Sequence, residues 1–184
     1  MRFLKLEHSR IVYFSDFVVY LALIAAASGA LLRFAPQAHR VELIVSVVAG
    51  LVGWTLIEYL MHRFIFHGLE PFRRWHGEHH HRPHALIGTP AFLSGALIFA
   101  FVSLPIMLLW NVWEATAITL GIIIGYLGYM WVHHVVHHWR TDNAWIRQRK
   151  RRHAIHHMKP TCEFGVTTSV WDHIFRSLPK RTAN

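Results

Sequence analysis

Residues 91–110 read AFLSGALIFAFVSLPIMLLW, twenty positions without one charge. At 1.5 Å per residue a helix of that length crosses the roughly 30 Å hydrocarbon core of a bilayer unaided. The stretch after it, Ala115 to Val132, is equally free of charge. Upstream lie two shorter apolar runs, Phe17 to Leu32 and Leu43 to Ile57, the latter continuing past Glu58 into Tyr59, Leu60 and Met61. These two reach spanning length only with flanking residues such as Phe14, Ser15 and Val41, so they are predicted to be tilted or partly interfacial. Their glycines and serines suit close helix packing in lipid. None of the four runs keeps the polar stripe that a helix of a soluble all-α protein presents to water. The first run has no evident small-residue cleavage site and further spans follow it, so it is not read as a cleaved signal peptide. The expected fold is therefore all-α, an integral membrane bundle of four transmembrane helices carrying a cytoplasmic, histidine-rich helical cap. The whole of 1–184 is expected to form one membrane domain: an N-terminus over 1–16, four spans within 17–138 with a histidine-rich loop at 62–84, and a basic tail over 139–184 that completes a metal site.

The composition agrees with that reading. Of 184 residues 53% are hydrophobic and only 16% charged, against about 25% in an average soluble domain. A single cysteine excludes an internal disulfide, a thiolate zinc ribbon and an iron–sulfur cluster. The net charge of +9 is topological. Four spans place the N-terminus, the middle loop and the tail on one side. Seventeen Lys and Arg fall there, and only Arg33 and Arg40 on the other. The positive-inside rule puts the rich side, with both termini, in the cytoplasm, and the membrane is expected to be a bacterial inner membrane. The run RQRKRR at 147–152 is read as a topology determinant and anionic-lipid contact rather than a nucleic-acid surface.

Histidine is the unusual residue. Fourteen of seventeen lie in 62–84 and 133–157, at or just beyond the cytoplasmic ends of spans. The first stretch holds His62 and His67, then His76, His79, His80 and His81, with His84 beyond. The second holds His133, His134, His137 and His138, then His153, His156 and His157. On a helix, positions i and i+4 share a face, so His133 and His137 point one way while His134 and His138 form a parallel pair rotated by about 100°. In each H-x-x-H-H box, the first histidine shares a face with the two later ones, and the three imidazoles are predicted to converge on one small volume. Neutral imidazoles gather readily only around a cation, and protonated ones repel. Ligand type alone leaves zinc, copper, iron and nickel open. His8, His39, His84 and His173 are read as hydrogen-bonding surface residues.

The ordered set of boxes over roughly 50–178 resembles the membrane-bound fatty acid hydroxylase superfamily, which includes sterol desaturase-like enzymes, fatty acid 2-hydroxylases and carotenoid beta-hydroxylases. The surrounding text supports the resemblance: WTLIEYLMHRFIFH at 54–67, Tyr129 four residues before His133, and FGVTTSVWDHIF at 164–175, similar to the family's G-V-T-x-x-x-W-D-x-x-F ending. The resemblance implies metal ligands at His62, His67, His76, His79, His80, His133, His137, His153, His156 and His157. Ten ligands imply two metal ions, taken to be iron, with zinc able to replace them in isolated protein. His134, His138 and His81 stand as alternative ligands beside their neighbours. Glu58 and Asp172 are candidates to hold histidine N–H groups from behind; the other readings are a snorkelling carboxylate and a helix cap. Tyr129 and Trp131 are candidates to line the substrate path, or else are aromatic-belt residues.

The implied reaction is hydroxylation of an unactivated C–H bond of a lipid with O2 and two electrons. A fatty acyl chain is the leading substrate, with 2-hydroxylation near its carboxyl end, and a carotenoid ring is the alternative. No haem-binding segment precedes the first span and no G-x-G-x-x-G fingerprint occurs, so the electrons are expected from an external donor, a ferredoxin or a cytochrome with its reductase. A metal transporter or sensor is the rival from a different class. Such proteins commonly place acids and ligands near the midplane of their spans, whereas here the histidines lie toward one membrane face. Cys162, with no nucleophilic partner, is read as structural.

Overall fold

A computed structural model describes residues 7–179. Among the described residues every regular element is helical, and one isolated β-bridge pairs Glu7 with Ile87. Helix α1 spans Arg10–Phe34 and is followed by a 3-10 turn at Gln37–His39. Helix α2 covers Arg40–Leu60 and continues as a π-helical segment over Met61–Phe66. After α3 (Phe72–His81), α4 (Ala91–Ile98), a second π-helical segment (Phe99–Ser103) and α5 (Leu104–Leu109) follow without a break. Then come α6 (Val112–His138), α7 (Ala144–Met158) and the short α8 (Val170–Ile174).

Local chemistry sets these boundaries. Helix α1 begins at Arg10, well before the apolar run at Phe17, because the Ser9 side chain accepts the Val12 N–H at 3.3 Å and no helix breaker intervenes. Asn143 caps α7 in the same way, accepting from Ile146 N. Pro105 lacks the N–H that would answer the carbonyl four residues back, that of Phe101, which lies within the wider π-helical segment. Helix α6 runs six residues past Val132, so His133 to His138 are helical and their spacing can be read as faces.

Among the described residues four helical stretches are long and apolar enough to cross a membrane: Arg10–Phe34, Gln37–Phe66, Ala91–Leu109 and Val112–His138. Large apolar side chains such as Ile11, Phe34, Leu108 and Leu109 lie on their outer surfaces, from 67% to 88% exposed. Such contiguous apolar surface suits lipid and not water, and the protein is a membrane protein.

The chain divides into two compact units, Met1–Trp54 with Leu86–Leu127, and Thr55–Ala85 with Gly128–Asn184. In the first, Asp16 Oδ1 accepts the Ala91 N–H at the start of α4, and Tyr20 OH lies 2.7 Å from Ser94 Oγ. Tyr126 meets both Tyr20 and Trp54 edge to face, at 4.8 and 5.1 Å. Gly50 of α2 and Gly121 of α6 let two backbones touch: a Cβ on either would strike a carbonyl of the opposite helix, Ile118 or Val47. In the second unit Val132 and Val136 of α6 pack with Val166, and Tyr129 lies against them. All the histidine boxes belong to this unit.

Candidate metal centre

The π-helical segment explains the His62–His67 spacing. Five residues along an α-helix are about 140° apart, whereas a π-helix, with its i→i+5 bonding, brings such positions near one face. The two rings accordingly stand 5.2 Å apart. Around them the ligand nitrogens of His62, His67, His76, His80 and His156 all lie within 4.8 Å of one another. A second group, His79, His133, His137 and His153, is equally tight. His157 stands beside it, with its Nε2 3.1 Å from that of His153 and its ring stacked on His80 at 4.2 Å.

This is not the arrangement expected of the H-x-x-H-H boxes. Each was predicted to send three imidazoles to one volume; instead each box splits. On α3, His76 and His80 join the first group and His79 the second. On α7, His153 and His157 pair at the second group, and His156 crosses to the first. The reason is angular. Positions i and i+4 differ by about 40° around a helix and i and i+3 by about 60° in the opposite sense, so the middle histidine leans away from the last one.

The ring nitrogens face each other closely. His76 Nε2 lies 3.0 Å from His62 Nε2 and 3.1 Å from His80 Nε2, and His67 Nε2 lies 3.0 Å from His156 Nε2. In the second group His133 Nε2 is 3.1 Å from His79 Nε2, and His137 Nε2 is 2.8 Å from His153 Nε2. Two imidazoles can share one proton, but His76 Nε2 meets two others, and one N–H cannot serve both. Two rings have their protons fixed elsewhere: His62 Nδ1 donates to Phe164 O at 2.5 Å, and His156 Nδ1 donates to Cys162 O at 2.8 Å. A neutral imidazole carries one N–H, so the Nε2 of both is a lone pair aimed into its group. Nitrogens about 2.1 Å from one ion and at right angles to each other are about 3 Å apart. The donor set therefore fits a first-row metal ion in each group.

Electrostatics keep these rings in the ligating form. Burial, reinforced by neighbouring imidazoles, depresses His67 and His157 to about 4 and His79 and His156 to about 3. Burial likewise holds His76 and His153 well below the ordinary histidine range. All six are neutral near pH 7, with lone pairs free for a cation.

Glu58 and Asp172 act differently from the direct histidine contact expected of them. Glu58 accepts Val166 N, Thr167 N and Thr167 Oγ1, at 2.8, 2.9 and 2.5 Å. Asp172, fully buried, accepts Phe164 N and Gly165 N, both at 2.9 Å, and Ser177 Oγ at 2.7 Å. Both carboxylates thus grip the backbone of residues 164–167, and the carbonyls of Phe164 and Cys162 in turn hold His62 and His156. Five amides and hydroxyls in one buried or half-buried segment need acceptors, and carboxylates answer them more strongly than imidazoles could. Arg63 donates to Tyr59 OH at 2.6 Å, and that hydroxyl lies 2.8 Å from Ser177 Oγ, extending the chain from Asp172. Between the two carbonyls Glu163 takes a left-handed φ of 55°, held by its N–H to Ser177 O and its carboxylate to Arg152 at 2.8 Å.

Other candidates are placed plainly. Tyr129 stacks on His133 at 5.6 Å. Trp131 does not join it: two positions along α6 turn it about 200° away, it is 42% exposed, and it pairs with Trp139. His134 and His138 stack on each other outside both groups, and His81 is exposed and also outside them. Of the basic run at 147–152, read as a lipid-facing patch, Arg149 is buried and Arg152 pairs with Glu163, while Arg147, Lys150 and Arg151 are exposed. His8 and His173 bond backbone carbonyls as surface residues do. Thr167 and the carbonyls of Cys162 and Phe164 had no assigned role in the sequence; the G-V-T ending marked their segment, but a main-chain acceptor leaves no residue signature.

Comparison with known proteins agrees with this geometry. The family model described as fatty acid hydroxylase matches residues 47–177. Two dihydroceramide fatty acyl 2-hydroxylases of Arabidopsis thaliana, FAH1 and FAH2, are 32% and 33% identical over 77% and 88% of this chain. The ceramide very long chain fatty acid hydroxylase scs7 of Schizosaccharomyces pombe is 35% identical over 70% of it. This chain spans 64% and 69% of the plant relatives' lengths and 40% of the yeast one's. The solved structure titled full-length scs7p, with only the hydroxylase domain visible, superposes with a TM-score of 0.77 at 26% identity, over 94% of this chain and 68% of that one. Matched over most of its length in sequence and in fold, the chain belongs to the fatty acid hydroxylase family.

Proposed function

We propose that this protein is a membrane-bound lipid hydroxylase that places a hydroxyl on a fatty acyl chain beside its carboxyl end. The observation that carries the reading is the pair of histidine groups, with Nε2 lone pairs turned inward and two rings locked from behind by backbone carbonyls. His62, His67, His76, His80 and His156 hold one ion, and His79, His133, His137, His153 and His157 the other. Imidazole ligands and a hydroxylation reaction favour iron, with zinc as a substitute in isolated protein. A bound iron pair supplies the redox chemistry by which O2 is cleaved and an alkyl C–H bond is attacked.

The balance is R–H + O2 + 2 electrons + 2 protons giving R–OH + H2O, so a reductant is required. An external ferredoxin or cytochrome with its reductase provides it, and the exposed Arg147, Lys150 and Arg151 suit docking of an acidic donor. The residues themselves bind, orient and shield. Burial of His62, His79, His153 and His156 keeps bulk water from the reacting atoms. Tyr129, stacked on His133, is positioned to line the acyl path. With the cation-rich side cytoplasmic, in a bacterial inner membrane, an acyl tail reaches the site from the bilayer while its head group stays hydrated.

Lipids extracted from expressing and non-expressing cells provide the test. A 2-hydroxy acyl product that disappears in His79→Ala supports the proposal. A hydroxylated carotenoid in its place overturns the acyl assignment. Purified protein that binds metal yet consumes no O2 with any lipid and reductant overturns the hydroxylase reading in favour of a transporter or sensor. Turnover insensitive to salt removes the electrostatic docking of the donor.

A further inference from the structure

Among the histidines of the second unit that stand outside both groups, three lie close together. His134 and His138, in the last turns of α6, stack with ring centroids 4.5 Å apart, and the ring of His84 lies 6.1 Å from that of His138. His84 and His138 are exposed and His134 is half-buried. Their i, i+4 spacing places His134 and His138 side by side on one helix face, rotated by about 100° from the His133–His137 face. Two imidazoles at i and i+4 can close on one ion by side-chain rotation, and His84, from a separate part of the chain, stands beside His138 to join them.

The surroundings select the kind of ion. No carboxylate belongs to the trio, and the nearby carbonyl of Trp139 is already taken by Lys150 Nζ at 3.0 Å. An all-imidazole set suits zinc, nickel, copper and ferrous iron rather than oxygen-seeking Mg2+ and Ca2+. The trio also adjoins the buried centre: the ring of His138 lies 6.4 Å from that of His137, a member of the second group. Ions bound for the buried groups must come from water, and this is an exposed set of imidazoles contiguous with a buried one.

We propose that His84, His134 and His138 form a third, exchangeable site for a first-row divalent cation, where metal is captured before it passes to the buried histidines. The capture step rests on the reading of the two buried groups as metal sites. Being exposed and built from at most three side chains, the outer site holds its ion more weakly than the inner ones and releases it to a chelator.

The test is a Zn2+ titration of metal-free, detergent-solubilised full-length chain, followed by washing with a chromophoric chelator. The wild type is expected to keep two equivalents and to give up one. The double variant His134→Gln, His138→Gln is expected to keep the two, which also shows that it is folded, to lack the third, and to fill its buried groups several-fold more slowly. A wild type without the exchangeable equivalent overturns the proposal and leaves the buried sites standing. So does a variant that retains that equivalent, or one that fills as fast as wild type. Absence of the two retained equivalents from the wild type removes the buried sites, and this proposal with them.

Discussion

His62 Nδ1 donates to the carbonyl oxygen of Phe164 at 2.5 Å across 102 positions of chain. The bond is only as firm as the segment that carries the carbonyl, and that segment is held by Asp172 through Phe164 N and Gly165 N. Asp172→Asn replaces one of the two acceptor oxygens with a donor and releases one of these amides. Loss of such an outer hydrogen bond typically weakens metal binding about 10–100-fold. Competition with a chelator should show that loss at the group containing His62 and His156, and two sites of unchanged affinity would refute the positioning role.

The splitting of each H-x-x-H-H box has its own consequence. His76→Ala removes a nitrogen from the first group alone, and His133→Ala removes one from the second alone. Elemental analysis is expected to find two ions in the wild type and about one in each variant, because metal affinity follows ligand count within a site. Turnover is lost in both. Equal depletion of both ions by either substitution would mean that the two groups act as a single site.

Gly121→Ala puts a methyl group against the carbonyl of Val47 and the amide of Leu51. Backbone atoms cannot swing aside, so the helices must part; overpacking of this kind costs about 1–3 kcal/mol. Gly53→Ala, with nothing within 4 Å of the added atom, is expected to be neutral or stabilising by up to about 1 kcal/mol through helix propensity. Thermal unfolding in detergent separates the two, and a tolerated Gly121→Ala would contradict the close approach.

Cys162 contributes its carbonyl to His156 Nδ1, while its thiol donates only a long 3.5 Å contact to Lys159 O. The Ser variant keeps the carbonyl and can satisfy the same acceptor. Metal content and turnover should therefore stay near wild type, and an abrupt fall in either would assign the sulfur a direct role.

Span number and the location of the candidate metal ligands are legible in the chain because both are local properties. The absence of charge over 91–110 needs no partner to be read, and neither does the recurrence of histidine at i, i+3 and i+4. Even the π-helical segment has a trace, since His62 and His67 share a face poorly in a regular α-helix. The helix ends were less legible: the apolar run at Phe17 hid a helix that Ser9 starts at Arg10.

Sequence alone thus determined four apolar helices, the cation-rich side and a set of imidazoles large enough for two ions. Only the tertiary structure decided which imidazole serves which group, that Trp131 faces outward, and that Glu58 and Asp172 work through the 164–167 backbone. Helical spacing orients a side chain about its own axis, but whether His79 or His76 meets His133 depends on where α3 and α6 bring their rings. A carbonyl that anchors a histidine is present at every residue, so its selection is written in the fold and not in the side chains.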